Sequence, residues 1–326
     1  MINSFDDVPM FLNDFFNYLE TIKGKSKNTI KSYYYDLRIF LRFLKLHKKF
    51  VPADSVFDEI NIADFTIEIL NTVTLTDLYS YLSFVSRSRN NIATSRARKV
   101  ASVKTLYNYL FTKLKVIDSN PAAELESPKI LKSLPRYLNI NESKALLSSI
   151  DGKFSARDFS IITLFLNTGL RLSELVNLDL NDIRNNNLTF IGKGNKERAI
   201  PLNSACVDAI AEYLKVRPVD GVKDKNAIFL SSRKQRISNN MVHKIVKKYL
   251  SEAGLDPRRY SAHKLRHTAA TLMYKHGHVD IRALQEILGH ESIATTEIYT
   301  HLDKQQLKDA VDSNPLSDFT VEKKLS

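Results

Sequence analysis

Three prolines inside one polar stretch constrain this chain more than any other feature. Pro121, Pro128 and Pro135 fall in DSNPAAELESPKILKSLPRYL, residues 118–138, where each removes a backbone donor and blocks the continuation of a helix. The residue patterning differs on the two sides of this break. At 326 residues the chain also exceeds an average single domain, so two domains are expected. The division that follows is a helical domain over 1–117, a linker over 118–136 and a second domain over 137–326.

The first half reads as helices separated by short polar turns. Between Asn28 and Leu46, Ile30, Tyr34, Leu37, Leu41 and Leu44 recur at helical spacing, and between Ala93 and Leu114 so do Val100, Val103, Leu106, Tyr107 and Leu110. Basic residues gather at the starts of these segments: Lys23, Lys25, Lys27 and Lys31 in the first, Arg87, Arg89, Arg96, Arg98 and Lys99 in the second. Such runs are commonly solvated helix faces. Here they sit beside Ser26, Thr29, Ser86, Ser88, Thr94 and Ser95, hydroxyls able to donate to phosphates.

The second half mixes helices with a little strand. A helix is expected from Asn141 to Ile150, capped by Asn141, and another from Phe159 to Asn167, ending at Gly169. Leu188 to Gly192 and Glu197 to Leu202 read as two strands joined by a tight turn through Gly194 and Asn195. Ala227 to Leu230 reads as an added edge strand. The fold class is therefore mainly α with a small antiparallel β-sheet.

Composition narrows the partners. Lys and Arg number 48 against 36 Asp and Glu, a formal charge of +12, which favours a polyanion. Nucleic acid is the better choice over an anionic membrane, because no run approaches ~18 consecutive apolar residues. The first twenty residues carry acidic groups where a secretory leader would be basic, so a cytoplasmic location is expected. Cys206 is the single cysteine; it excludes an intrachain disulfide and reads as a small buried hydrophobe.

Four segments carry chemistry: TGLRLSELVNL from Thr168, IGKGNKER from Ile191, HKLRH from His263, and the run from Arg266 to Leu302 that contains LGHES and ends in IYTHL. Arg171 follows a glycine-containing break between two leucines, and Glu174 can reach it from one helical face. His263, Arg266 and His267 share a face at i, i+3 and i+4. Two histidines four apart also suit a metal, but no HExxH, thiol cluster or evident acidic third ligand accompanies them. Guanidinium forks match phosphate oxygens and stay charged at any working pH. A phenol with a pKa near ~10 needs such charge, and a base, before it can attack. His290 and Tyr299, nine positions apart, place a tyrosine where it can attack a phosphate.

Together these motifs resemble those of the tyrosine recombinases of the phage integrase family, most closely the bacterial Xer group. The resemblance covers nearly the whole chain and is strongest from Tyr137 to Leu302. It places the family's motif positions on Arg171, Lys193, His263, Arg266, His290 and Tyr299, with Glu174 supporting the first arginine and His267 in a helper role. Ala262 departs from the proline common there, although Ser261 can still cap the helix.

The resemblance implies a SAM-like helical core-binding domain and an α+β catalytic domain that clamp DNA. It further implies strand cleavage through a covalent 3′-phosphotyrosine on Tyr299, with Lys193 as general acid (Lys196 the fallback), His263 taking the phenol proton, and neither metal nor other cofactor. A homotetramer on two duplexes is implied, as is a terminal helix around 304–311 lent to a neighbouring subunit. The role of chromosome or plasmid dimer resolution stands beside mobile-element integration or excision, and a partner recombinase or activator stays open. The lack of an extra N-terminal arm-binding domain favours the Xer role. A type IB topoisomerase and a non-catalytic DNA-binding protein are the alternatives.

Overall fold

The structure is a computed structural model that describes residues 5, 7–130, 136–191, 197–277, 279–289 and 292–296. Its chain divides into two compact units, residues 1–132 and 133–326.

The first unit is built on helices α1 (Met10–Thr21), α2 (Lys27–His47), α3 (Ile67–Asn71), α4 (Leu75–Arg87) and α5 (Ala93–Asn108). The apolar stripe expected on α2 is buried at every position, Ile30, Tyr34, Leu37, Leu41 and Leu44, as is that of α5 and the turn after it. Ser26 caps α2 by accepting from the Thr29 amide, which starts the helix just after the Lys25 turn. A π-helical turn, Tyr109–Leu114, follows α5 directly and ends at Lys115 in the left-handed region. The expected linker does not begin at 118, because Ile117, Ala122 and Leu125 are buried in this unit's core. Their apolar side chains hold residues 117–125 to the first unit.

One charged cluster ties α2 to α5. Asp36, 1% exposed, accepts from Lys99 Nζ at 2.6 Å, Arg98 Nη1 at 2.5 Å and Ser102 Oγ at 3.1 Å. Removing one partner of a buried ion pair strands the other in a low-dielectric interior, and Lys99 is itself 3% exposed. Asp36→Ala is therefore expected to lower unfolding free energy by about 3 to 5 kcal/mol in denaturant titration. A loss below about 1 kcal/mol would show the pair contributing no more than a surface bridge.

The second unit contains α6 (Ile140–Ser148), α7 (Ser155–Thr168), α8 (Leu172–Asn177), a sheet of β1 (Ile183–Arg184), β2 (Asn187–Ile191) and β3 (Glu197–Pro201), then α9 (Ser204–Val216), α10 (Asn239–Glu252), α11 (Ala262–His276) and α12 (Ile281–Leu288). Helix α6 is capped by Asn139, not Asn141: Asn139 and Glu142 form a reciprocal capping box that satisfies two free amides and fixes the start earlier. The strands pair antiparallel in the order β1-β2-β3, with Phe190 opposite Arg198. Strand β1 was not expected. Asn185 and Asn186 both take positive φ, 49° and 57°, the geometry of a two-residue type I′ hairpin turn.

Ala227 to Leu230 does not join the sheet as an edge strand. It makes only isolated bridges, Asp179 with Ala227 and Leu230 with Arg236, while its side chains are buried. Short apolar runs are ambiguous in this way, since burial alone explains them. Helix α7 packs between α9 and α11, and this layer carries the site. Cys206 is buried at the start of α9, where burial pushes its thiol up to about 12. Among the described residues, no helix is long and apolar enough to cross a membrane.

Candidate active site

Helix α7 stops at Gly169, whose φ of +64° suits glycine and whose position leaves no room for a side chain. A Cβ there would lie 2.8 Å from Leu288 Cδ2 of α12. The sharp exit makes Arg171 the N-cap residue of α8. Its backbone N–H donates to Glu174 Oε2 at 2.7 Å, its Nη1 donates to Glu174 Oε1 at 2.6 Å, and its Nη2 donates to the Gly289 carbonyl at 2.5 Å. The side chain remains 42% exposed, so one face of the guanidinium is open to an incoming anion.

Arg266, on α11, is 4% exposed. Its Nη1 donates to the Gly169 carbonyl at 2.6 Å and its Nη2 to the Leu288 carbonyl at 2.7 Å. Both acceptors are helix-terminal carbonyls, where partial negative charge favours a cation. Ser261 caps α11 as expected, accepting from the Lys264 amide.

A third arginine joins them. Arg198 on β3 stacks over the Phe190 ring at 5.4 Å, donates from Nη1 to the Leu288 carbonyl at 3.0 Å, and brings Nη2 to 3.5 Å from Glu174 Oε2. Burial lowers its pKa from the ordinary arginine value, and Glu174 opposes that fall. Glu174 thus lies within 4.0 Å of Arg171, Arg198 and Arg266 together, which leaves the site with an excess of positive charge. Fixed cations of this kind stabilise charge that develops on a phosphoryl group.

His263 and His267 meet at 3.0 Å between their Nε2 atoms, with rings edge to face. In such a bond one nitrogen donates and the other must accept, so the pair cannot be doubly protonated. Desolvation, then the charges of Arg266 and Lys264, lower the pKa of His263.

The whole chain compares closely with known proteins. A family model described as the phage integrase family matches residues 136–306. The tyrosine recombinase XerC of Caldanaerobacter subterraneus subsp. tengcongensis is 58% identical, over 95% of this chain and 88% of that protein. The chain belongs to the phage integrase family of tyrosine recombinases. The tyrosine recombinase XerD of Listeria monocytogenes serotype 4b is 33% identical over 91% of the chain and 96% of that protein. Among solved structures, the XerH site-specific recombinase bound to difH substrate in a pre-cleavage complex is 25% identical, covering 93% of this chain and 83% of that one, with a TM-score of 0.67. A λ integrase dimer bound to a COC′ core site shares the fold, with a TM-score of 0.64 at 17% identity, covering 87% of this chain and 95% of that one.

Of the residues that the recombinase motifs single out, Arg171, Glu174, His263, Arg266 and His267 are placed by the structure on α8 and α11, the arginines around Glu174. Lys193, Lys196, His290 and Tyr299 lie outside the described residues, as does the segment 304–311. Arg198 is the site residue that sequence reasoning missed. Its one local signal was a charged residue set in the hairpin's apolar alternation, and nothing local pointed to Glu174 or Leu288.

The expected DNA-contacting cations separate into groups. Lys25, Lys27, Lys31 and Arg87 are exposed. Arg89 pairs with Asp58 at 3.0 Å, and Arg96 donates to Ser86 Oγ and the Asn91 carbonyl, tying down the turn before α5. Arg98 bonds Asp36 yet keeps a 45% exposed side chain. Lys99 departs from the expectation: its ammonium is buried against Asp36, so it serves the interior of the helical unit rather than its surface.

Proposed function

We propose that this recombinase cuts and rejoins DNA at a specific site through a 3′-phosphotyrosine on Tyr299. The convergence of Arg171, Arg198 and Arg266 on Glu174 supports this reading most directly, because it concentrates fixed positive charge without requiring a metal ion at that point. In the proposed cycle Arg171 and Arg266, with His290, hold the nonbridging oxygens of the scissile phosphate. His263 accepts the phenol proton, and Lys193 delivers a proton to the departing 5′ oxygen. The phosphotyrosine conserves the bond energy until the 5′ hydroxyl of the partner strand attacks it. The partner is a double-stranded recombination site, contacted in the first unit by Lys25, Lys27, Lys31, Arg87 and Arg98. Four copies on two duplexes, a cytoplasmic location and a role in dimer resolution complete the proposal.

The test begins by recovering the bound site from a pool of random duplexes. A nicked version of that duplex traps any covalent intermediate, because the short 5′ fragment diffuses away. An SDS-resistant adduct that forms equally well in EDTA is expected, since side chains are assigned the charge stabilisation. Loss of the adduct in chelator, restored by one divalent metal, would return the His263–His267 pair to a metal-binding reading. Relaxation of supercoils by a monomer, with no strand exchange, would favour a topoisomerase.

The pH dependence tests His263. As a base it must be neutral, so cleavage falls as pH drops through its pKa, and partial desolvation, then the charges of Arg266 and Lys264, lower that pKa below the ordinary 6.5. The acid limb of single-turnover adduct formation is expected to have its midpoint under that value. A midpoint above it, or one unmoved in His263→Asn, would assign the base elsewhere.

A further inference from the structure

The arginine on the hairpin is built into the site more tightly than a solvated strand residue needs to be. Arg198 Nε is buried and has no hydrogen-bond partner among the described residues, so part of the cost of desolvating this guanidinium is left uncompensated. Its two terminal nitrogens reach elements far away in sequence, the Leu288 carbonyl at the end of α12 and the Glu174 carboxylate on α8. Gly289 is shaped around it. A Cβ at that position would come within 1.7 Å of Arg198 Nη1, and its φ of +62° disfavours any side chain as well.

The acceptors matter because each also holds one of the phosphate-binding arginines. The Leu288 carbonyl accepts from Arg266 Nη2 at 2.7 Å, and Glu174 Oε2 accepts from the Arg171 amide at 2.7 Å. A single guanidinium therefore contacts one of the groups that hold Arg171 and one of those that hold Arg266. Its planar fork meets the two acceptors through two different nitrogens held in one fixed geometry, whereas an ammonium offers a single rotatable nitrogen for both.

We infer that Arg198 is a positioning residue for DNA cleavage, acting through Glu174 and the Leu288 carbonyl to orient Arg171 and Arg266 toward the scissile phosphate. This inference rests on the functional reading above. Its removal leaves the two arginines present but less well placed, and displacement by about 1 Å costs on the order of 10²-fold in rate. The deficit belongs to charge stabilisation, not to protonation of the leaving group.

Arg198→Gln is expected to form the covalent adduct on the nicked duplex about 10- to 100-fold more slowly in single turnover, with DNA affinity changed by less than about threefold. Replacing the bridging 5′ oxygen with sulfur, which removes the need for a general acid, is expected to leave that deficit in place. Arg198→Lys keeps the alkyl stem on Phe190 and one donor for the Leu288 carbonyl, and is expected to recover part of the rate. Three results overturn the inference: a rate within about threefold of wild type, a rate loss matched by an equal loss of DNA affinity, or full rescue by sulfur. If Arg198→Gln does not fold, Arg198→Lys is judged by the same three results, with a smaller deficit expected. Failure of the wild type itself to form an adduct would instead overturn the functional reading, and this inference with it.

Discussion

Replacing Tyr299 with phenylalanine is expected to abolish covalent capture on a nicked duplex while DNA binding stays nearly intact. The substitution removes one oxygen and keeps the ring, so packing and the basic surfaces change little. Loss of a nucleophile costs at least about 10⁴-fold where the rest of the site survives, which places any residual adduct below detection. The measurement is an SDS gel of single-turnover reactions beside a gel-shift titration of the same protein. A remaining SDS-resistant adduct would mean that another of the 14 tyrosines, or another side chain, carries the DNA. Loss of binding together with capture would mean that Tyr299 has a structural role.

The second large effect concerns the leaving group. An alkoxide departs poorly without a proton, so Lys193→Ala is expected to slow cleavage by about 10²- to 10⁴-fold. With sulfur at the bridging 5′ position, the leaving thiolate has a pKa several units lower and needs little protonation. Lys193→Ala should then cleave almost as fast as wild type. Arg171→Ala should gain much less, because its guanidinium is held by Glu174 and the Gly289 carbonyl to meet phosphate charge, which sulfur leaves in place. Equal rescue of both variants, or rescue of Lys196→Ala instead, would reassign the acid. Arg198→Gln belongs with Arg171→Ala in this comparison, so one pair of substrates separates residues that protonate from residues that place charge.

The helical unit was legible because its information is local. Stripes such as Ile30, Tyr34, Leu37, Leu41 and Leu44 specify both the helix and its buried face, and all five are buried. Ser261 was readable as a cap for the same reason, since capping needs only the next few residues. The cap of α6 was misplaced at Asn141, although the capping-box pair Asn139 and Glu142 that fixes the earlier start is itself a local pattern. The Asn185–Asn186 turn that starts β2 was also written there, in two residues that tolerate positive φ.

The motifs around Arg171, His263 and Arg266 were enough for the sequence to show its resemblance to the tyrosine recombinases, because residue types and their spacing within a motif are local information. Tertiary structure alone decided what those side chains lean on. Arg198 meets Leu288 across ninety positions, and Lys99 meets Asp36 across sixty-three, turning an expected surface cation into an interior one. No periodicity encodes such pairs. A buried charge takes whatever partner the packed helices bring within hydrogen-bond reach, because the low-dielectric interior makes an unpaired charge far more costly than any local preference.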